Sequence, residues 1–244
     1  MYERRLSVTN ALIIINLVVF FVGLMVQKEA LLGIPYPQAP KSPVFEVTCA
    51  YSWFTCFMEG QLWRIVTYQF VHANFAHILF NMWALYFFGP AVEQNMGPRR
   101  FLLFYLVCGI AGALFASLLA GLNLYTSILP TPQNELMCNQ LAAFAGFDGC
   151  VQCWQMIPLI GASASIYGVM VACAFMYPDV TISLLFPPIT LRLRTFAVII
   201  IGIATATILF NWNNAGGEAG HLGGIFMGAI IMLIWKYRIT HRSY

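Results

Sequence analysis

Six long apolar runs alternate with polar segments along the chain, at about residues 8–26, 70–91, 101–121, 161–177, 195–212 and 219–235. Each approaches the roughly 20 apolar residues that a helix needs to cross a hydrocarbon core. The fourth is the shortest and is stopped by Pro178. Ser7, Thr9 and Asn10 supply helix-start chemistry at the head of the first run. A long polar, proline-containing loop occupies 28–61, and its Tyr51, Trp53, Phe54 and Phe57 suit the lipid headgroup level. Glu93, Arg99 and Arg100 read as an ordinary charged turn over 93–100. A second long loop covers 122–158, and a short polar loop covers 213–218. No internal repeat is visible, which disfavours a transporter built from inverted repeats. The expected fold is an all-α membrane protein, a six-transmembrane-helix bundle making one domain over 1–244.

Composition sharpens this picture. The chain is 60% hydrophobic and 9% charged, where a soluble domain carries about 25% charged residues. Arg4 and Arg5 precede an apolar run that is long and lacks a small-residue cleavage site, so it reads as a retained span. Six spans put both termini on one side of the membrane. Arg4, Arg5, Arg99, Arg100, Arg192, Arg194, Lys236, Arg238 and Arg242 then share that side, against Lys28, Lys41 and Arg64 opposite. An excess of Lys and Arg marks the cytoplasm. The expectation is a multi-pass protein of a bacterial inner membrane, with both termini cytoplasmic and both long loops outward. Cys49, Cys56, Cys138, Cys150 and Cys153 fall in those loops, where a disulfide or free thiols are expected. Cys150-x-x-Cys153 has no second ligand pair at the right spacing, so no metal and no cofactor are expected. The lipid bilayer is a partner; nucleic acid is not.

Polar groups inside hydrocarbon are expensive and are candidates for function. They are His72, His77, Asn81, Ser163, Tyr167 and His221. Counted from the cytoplasmic ends of their spans at helical rise, Ser163 lies about 21 Å up, His221 about 22 Å, Asn81 about 18 Å and His77 about 24 Å. These four share one layer, submerged roughly 10 Å below the outer surface of a core about 30 Å thick. His77 and Asn81 are four residues apart and share a helix face, as do Ser163 and Tyr167. Gly220, Gly224 and Gly228 make a stripe beside His221, and Ala162, Ala164 and Gly168 match it on the fourth run. Small residues let membrane helices approach closely. A base must come within about 3 Å of the hydroxyl it activates.

A serine among small residues is, taken alone, packing material more often than a nucleophile. Four polar groups at one depth reverse that preference. His221 then takes the Ser163 proton, and Ser163 attacks a carbonyl. The Asn81 amide, the His77 ring N–H and the Ser163 backbone N–H are candidate oxyanion donors. Tyr167 is placed to pack on the His221 ring. Glu218, three residues before His221, falls in the wet 213–218 loop on this reading, so no buried acid completes a triad. His72 sits at the mouth of its span, solvated or bonded to loop backbone.

These residues also resemble a known family. Gly161-Ala162-Ser163-Ala164 is similar to the Gly-x-Ser-Gly motif of rhomboid intramembrane serine proteases, and Gly220-His221-Leu222-Gly223-Gly224 is similar to their Ala-His-x-x-Gly motif. His72-x4-His77-x3-Asn81, Trp63-Arg64 and Glu93-x3-Gly97 resemble further motifs of that family, in the same order. The resemblance implies a Ser163–His221 dyad, oxyanion roles for His77 and Asn81, and a tyrosine at 167 stacked on the histidine. It implies a first loop lying partly in the outer leaflet, and a substrate gate formed by the fifth helix with the 213–218 loop. The implied activity is serine endopeptidase cleavage of single-span membrane proteins near their outer ends. The alternative is an inactive relative that binds and escorts membrane proteins. Ala164 departs from the family glycine and puts a methyl where the fourth and sixth helices are expected to meet.

Overall fold

The computed structural model describes residues 6–31, 34–35, 41–125, 153–183, 188–212 and 214–240, with a few positions between 136 and 143. Arg4, Arg5, Cys138, Cys150 and Arg242 lie outside the described residues. Among the described residues the α-helices with defined bounds are, in chain order, Val8–Met25 (α1), Val44–Cys49 (α2), Arg64–Thr67 (α3), Phe75–Met96 (α4), Pro98–Gly121 (α5), Ser163–Met176 (α6), Leu193–Leu209 (α7) and Ala215–Thr240 (α8). The protein is mostly helical. Among the described residues, α1, α4, α5 and α8 are long and apolar enough to cross a membrane. The fourth and fifth apolar runs become shorter helices: α6 has 14 residues and α7 has 17, or about 21 Å and 26 Å of rise. Short strands also form where only loops were expected. Gln27–Leu31 (β1) pairs antiparallel with Ile34–Pro35 (β2) and Lys41–Pro43 (β3), and Thr181–Ser183 (β4) pairs with Thr190–Arg192 (β5).

The charged turn expected at 93–100 is almost entirely helix. Pro90 lies inside α4 without ending it. The break is Gly97 alone, at φ +81°, followed by Pro98 at the first position of α5. That φ suits glycine, and proline at a helix start forfeits no intrahelical bond. Glu93 therefore faces inward. Its carboxyl oxygens accept from the Val8 N–H at 2.7 Å, the Thr9 N–H at 2.9 Å and the Thr9 hydroxyl at 2.6 Å. Together with Ser7, which caps Asn10, it satisfies the otherwise orphaned donors at the head of α1. Glu93→Ala is expected to lower stability by about 3 kcal/mol, since hydrogen bonds to a charged group contribute about 1.5–3 kcal/mol each and partners are left unpaired. Thermal unfolding in detergent measures this. A midpoint equal to wild type would show that the contact contributes nothing.

The helices that carry the candidate residues pack by small side chains. α8 runs against α5 and α6, and α4 packs on α6 and α1. A Cβ at Gly224 would strike the Ala164 carbonyl, and one at Gly228 would lie 2.9 Å from the Gly168 Cα. Gly223 is closed in the same way by Gly112, with its Cα 2.8 Å from the added carbon. The backbones of α5, α6 and α8 are thus in direct contact, as small-residue membrane interfaces allow. α7 leans chiefly on α8 and only lightly on α6.

The segment at 41–70 is a folded unit rather than a polar loop. Arg64 is 3% exposed and donates to the carbonyls of Ala50 and Val47 at 2.7 and 2.9 Å and to Gln61 at 2.6 Å. Burial lowers the pKa of its guanidinium, opposed by nearby Cys49, Glu59 and Cys56. Trp63 beside it is exposed, its indole N–H donating to the Thr48 carbonyl. Tyr51 and Phe54, expected at a headgroup level, are fully buried, and Tyr51 hydrogen-bonds Ser117 on α5. Phe57 is exposed and pairs with the ring of Trp53. This unit reaches the stretch before α6: Tyr51 and Leu159 exchange two backbone hydrogen bonds, at 3.0 and 2.6 Å, and the Gly161 N–H donates to the Tyr68 carbonyl at 3.0 Å. Irregular backbone at membrane depth is tolerated only where protein satisfies it in this way.

Candidate active site

Ser163 is the first residue of α6. Its position follows from Gly161, whose φ of +120° is open to glycine and strained for other residues. A Cβ there would also come within 2.7 Å of the His77 Nε2. The chain therefore turns sharply under His77 and enters the helix at the serine. The first N–H groups of a helix have no intrahelical acceptor and carry the positive end of its dipole. Ser163 sits where a backbone donor and a side-chain hydroxyl both face the same small volume.

His221 meets that hydroxyl. Its Nε2 is 2.8 Å from the Ser163 Oγ. The Tyr167 ring stacks on the imidazole with centroids 4.1 Å apart and planes 9° from parallel. Tyr167 lies one turn below Ser163 on the same face of α6, so serine and tyrosine grip one ring at its edge and on its flat. Glu218 approaches from the other edge, its Oε2 2.9 Å from the His221 Nδ1. The side chains of His221 and Glu218 are 12% and 16% exposed. This corrects the expectation that Glu218 sits in a wet loop. The 213–218 loop is largely absent as a loop: α8 begins at Ala215, four residues earlier than the apolar run, and residue 213 lies outside the described residues. Glu218 is consequently helical and shares the His221 face by its three-residue spacing.

His77 stands in the first turn of α4, which Asn74 caps by accepting from the His77 N–H at 2.9 Å. Its Nδ1 accepts from the Ala73 N–H at 3.4 Å. In a neutral imidazole this leaves the proton on Nε2. That N–H is aimed at the space over Gly161: Nε2 and the Ser163 Oγ lie 2.7 and 3.6 Å from the point a Gly161 Cβ would occupy. Asn81 is buried one turn below, and its amide nitrogen donates to the His77 carbonyl at 3.0 Å. The second amide proton is left for another acceptor. His72 is buried rather than solvated. It lies edge-on to His77 with ring centroids 4.9 Å apart, and its Nε2 is 3.5 Å from the Ala162 nitrogen.

Two further residues take places that the sequence left open. Ser165 is fully buried on the far side of α6, donating to the Gln69 side-chain oxygen at 2.8 Å. Gln69 itself fills the space over Gly109, where a Cβ would collide with it. The Ala164 methyl points at Gly112 on α5, while the Ala164 backbone is what meets Gly224 on α8. The departure from the family glycine therefore lies at the contact of α6 with α5, not with α8.

Comparison with known proteins agrees in one direction. The Rhomboid domain model matches residues 59–238, which takes in α3 to α7, all but the last two residues of α8 and every residue of the cluster. The mitochondrial RHOMBOID-like protein 12 of Arabidopsis thaliana is 30% identical over 175 residues, covering 71% of this chain and 46% of the relative. Rhomboid protease GluP of Bacillus subtilis is 28% identical over 175 residues, covering 72% of this chain and 27% of the relative. Inactive RHOMBOID-like protein 8 of Arabidopsis thaliana is 34% identical over 79 residues, 32% of this chain and 22% of the relative. The chain spans less than half the length of each.

Proposed function

The chain belongs to the rhomboid family, and from that premise we propose that it is an intramembrane serine endopeptidase with Ser163 as nucleophile and His221 as general base. The hydrogen bond of 2.8 Å between the Ser163 Oγ and the His221 Nε2 carries the reading. Family membership alone does not, because the relatives include a protease and an inactive protein. Escort without cleavage needs no hydroxyl–imidazole contact. The contact favours catalysis.

The chemistry runs as acyl transfer. His221 accepts the Ser163 proton at Nε2 while Oγ bonds to a peptide carbonyl carbon, and the carbonyl oxygen takes the negative charge. The His77 Nε2–H, the Asn81 amide and the Ser163 N–H at the head of α6 receive that charge. The protonated Nε2 then delivers its proton to the leaving amine. Water, activated by the same nitrogen, hydrolyses the ester and restores the serine. Tyr167 keeps the imidazole in plane throughout. Asn81→Ala is expected to slow turnover by roughly tenfold, below the hundredfold typical of a sole oxyanion donor, because His77 and the backbone N–H remain. Steady-state kinetics measure this. An unchanged kcat would remove Asn81 from the oxyanion set.

Rhomboid proteases act on membrane proteins within the bilayer, and this chain is an integral membrane protein. The finer reading is one domain of six spans, with α6 and α7 completing the crossing, both termini cytoplasmic and the site near the outer surface. Single-span proteins are the substrates, cleaved near their outer ends where the helix unwinds. A helix must unwind first because its carbonyls are already bonded. α7, leaning on few neighbours, is the element most easily displaced for entry. One relative is mitochondrial, so family membership carries integration in a membrane rather than a particular membrane. A reporter fused after Tyr244 is expected to read as cytoplasmic; an outward reading would invert this topology. The deciding experiment incubates detergent-purified protein with a model transmembrane substrate beside Ser163→Ala. Cleavage by wild type alone supports the endopeptidase; no cleavage by either, with the substrate still bound, supports escort.

A further inference from the structure

We propose that Glu218 is a positioning residue for this reaction, a carboxylate that holds His221 in the tautomer and orientation in which Nε2 accepts from Ser163. The proposal rests on the endopeptidase reading and adds a third member to its Ser–His pair. Its geometry is that of two hydrogen bonds on opposite nitrogens of one ring: Glu218 Oε2 to Nδ1 at 2.9 Å, and Nε2 to Ser163 Oγ at 2.8 Å. A neutral imidazole carries one proton. A carboxylate acceptor at Nδ1 fixes that proton there, which leaves the Nε2 lone pair facing the hydroxyl. Without it the proton is free to sit on Nε2, and the ring then offers Ser163 a donor instead of a base.

The rest of the surroundings leave this task to Glu218. Tyr167 lies flat against the ring at 4.1 Å and 9°, so it sets the plane but not the rotation within it. His77 spends its Nδ1 on the Ala73 N–H. The Glu218 backbone is already fixed, its N–H donating to the Asn214 carbonyl at 3.0 Å, and the side chain leaves the helix face toward His221 rather than folding back as a cap. Both partners are more than four-fifths shielded, so the contact is not an open surface pair. Losing the acid of a Ser–His–Asp triad costs about 10⁴ in kcat where that acid is fully buried. Glu218 retains some solvent contact, and a loss of roughly 10- to 100-fold is expected.

The test uses full-length protein in detergent, with kcat and KM measured on a model transmembrane substrate for wild type, Glu218→Gln and Glu218→Ala, and thermal midpoints recorded for each. The expected result is a 10- to 100-fold fall in kcat for both variants, with KM within twofold and unchanged midpoints. A kcat within twofold of wild type, or a change confined to KM, would overturn the positioning role. A second measurement depends neither on turnover nor on the acid variants folding. In wild type labelled with ¹⁵N-histidine, the His221 resonances are assigned by their loss in His221→Ala. Protonation at Nδ1 is expected, and a ring protonated at Nε2 would overturn the proposal. If wild type neither cleaves substrate nor reacts with a serine-directed probe, the endopeptidase reading falls, while the tautomer still decides whether Glu218 sets the ring.

Discussion

A serine-directed fluorophosphonate is expected to label this protein at Ser163, with the label lost in Ser163→Ala and in His221→Ala and retained in Ser165→Ala. The two serines are two residues apart, about 200° around the helix. Ser163 opens into the cluster and touches the His221 Nε2 at 2.8 Å. Ser165 is fully buried and gives its proton to Gln69, so no base stands ready to take it. The probe reads chemistry at the hydroxyl and needs no knowledge of the natural substrate. On a transmembrane substrate, His221→Ala is expected to lower kcat by about a hundred- to ten-thousand-fold, the usual effect of removing a positioned base. Thermal unfolding controls for lost fold. A labelled peptide mapped to Ser165, or His221→Ala turning over within a few-fold of wild type, would overturn the assignment.

Gly224→Ala is expected to disable the protein from a position that touches no reacting atom. Alanine is the better helix former by about 1 kcal/mol, so a roomy site would gain stability. This site has no room, since an added Cβ would enter the Ala164 carbonyl. α6 and α8 must part, and they carry Ser163 and His221 respectively. A displacement of about 1 Å costs on the order of a hundredfold in rate, and overpacking destabilises by about 1–3 kcal/mol. Both kcat and the thermal midpoint should fall. Gly220→Ala is the control one turn away, where the nearest atom, the Gly112 carbonyl oxygen, is 3.9 Å from the added carbon. Its fold should survive with little change. Equal behaviour of the two variants would show that the stripe is not read as closely as the geometry implies.

Depth and small neighbours mark Ser163 and His221 in the sequence, because helical rise turns residue counts into heights. The structure has their side chains in contact, and their catalytic roles remain the proposal. What the sequence hid lay at helix ends. The pattern started the last helix at Ala219, since Ala215, Gly216, Gly217 and Glu218 look like a polar loop. Helix geometry carries them into the first turn, and Glu218 thereby reaches His221. In the same way Glu93 reads as the start of a turn because Arg99 and Arg100 follow it, whereas a carboxyl placed on the head of α1 needs α4 to continue. The six apolar runs were legible, but the length of two was not. The irregular chain at Leu159 and Gly161 is held in place by hydrogen bonds to Tyr51 and Tyr68 that no local pattern announces.

That pinned stretch has a consequence in time. Residues 41–70 leave the ribosome well before Leu159 and Gly161, so the surface that seats the chain before Ser163 is made first and waits for it. His221 follows Ser163 by 58 residues. At roughly 5–20 residues per second of synthesis, about 3–12 s pass in which the serine is made and the histidine proposed as its base is not. On the proposed mechanism the nascent chain is therefore inert towards other proteins at the insertion site. The proposed pair is complete only once α8 packs its Gly224 against the Ala164 backbone.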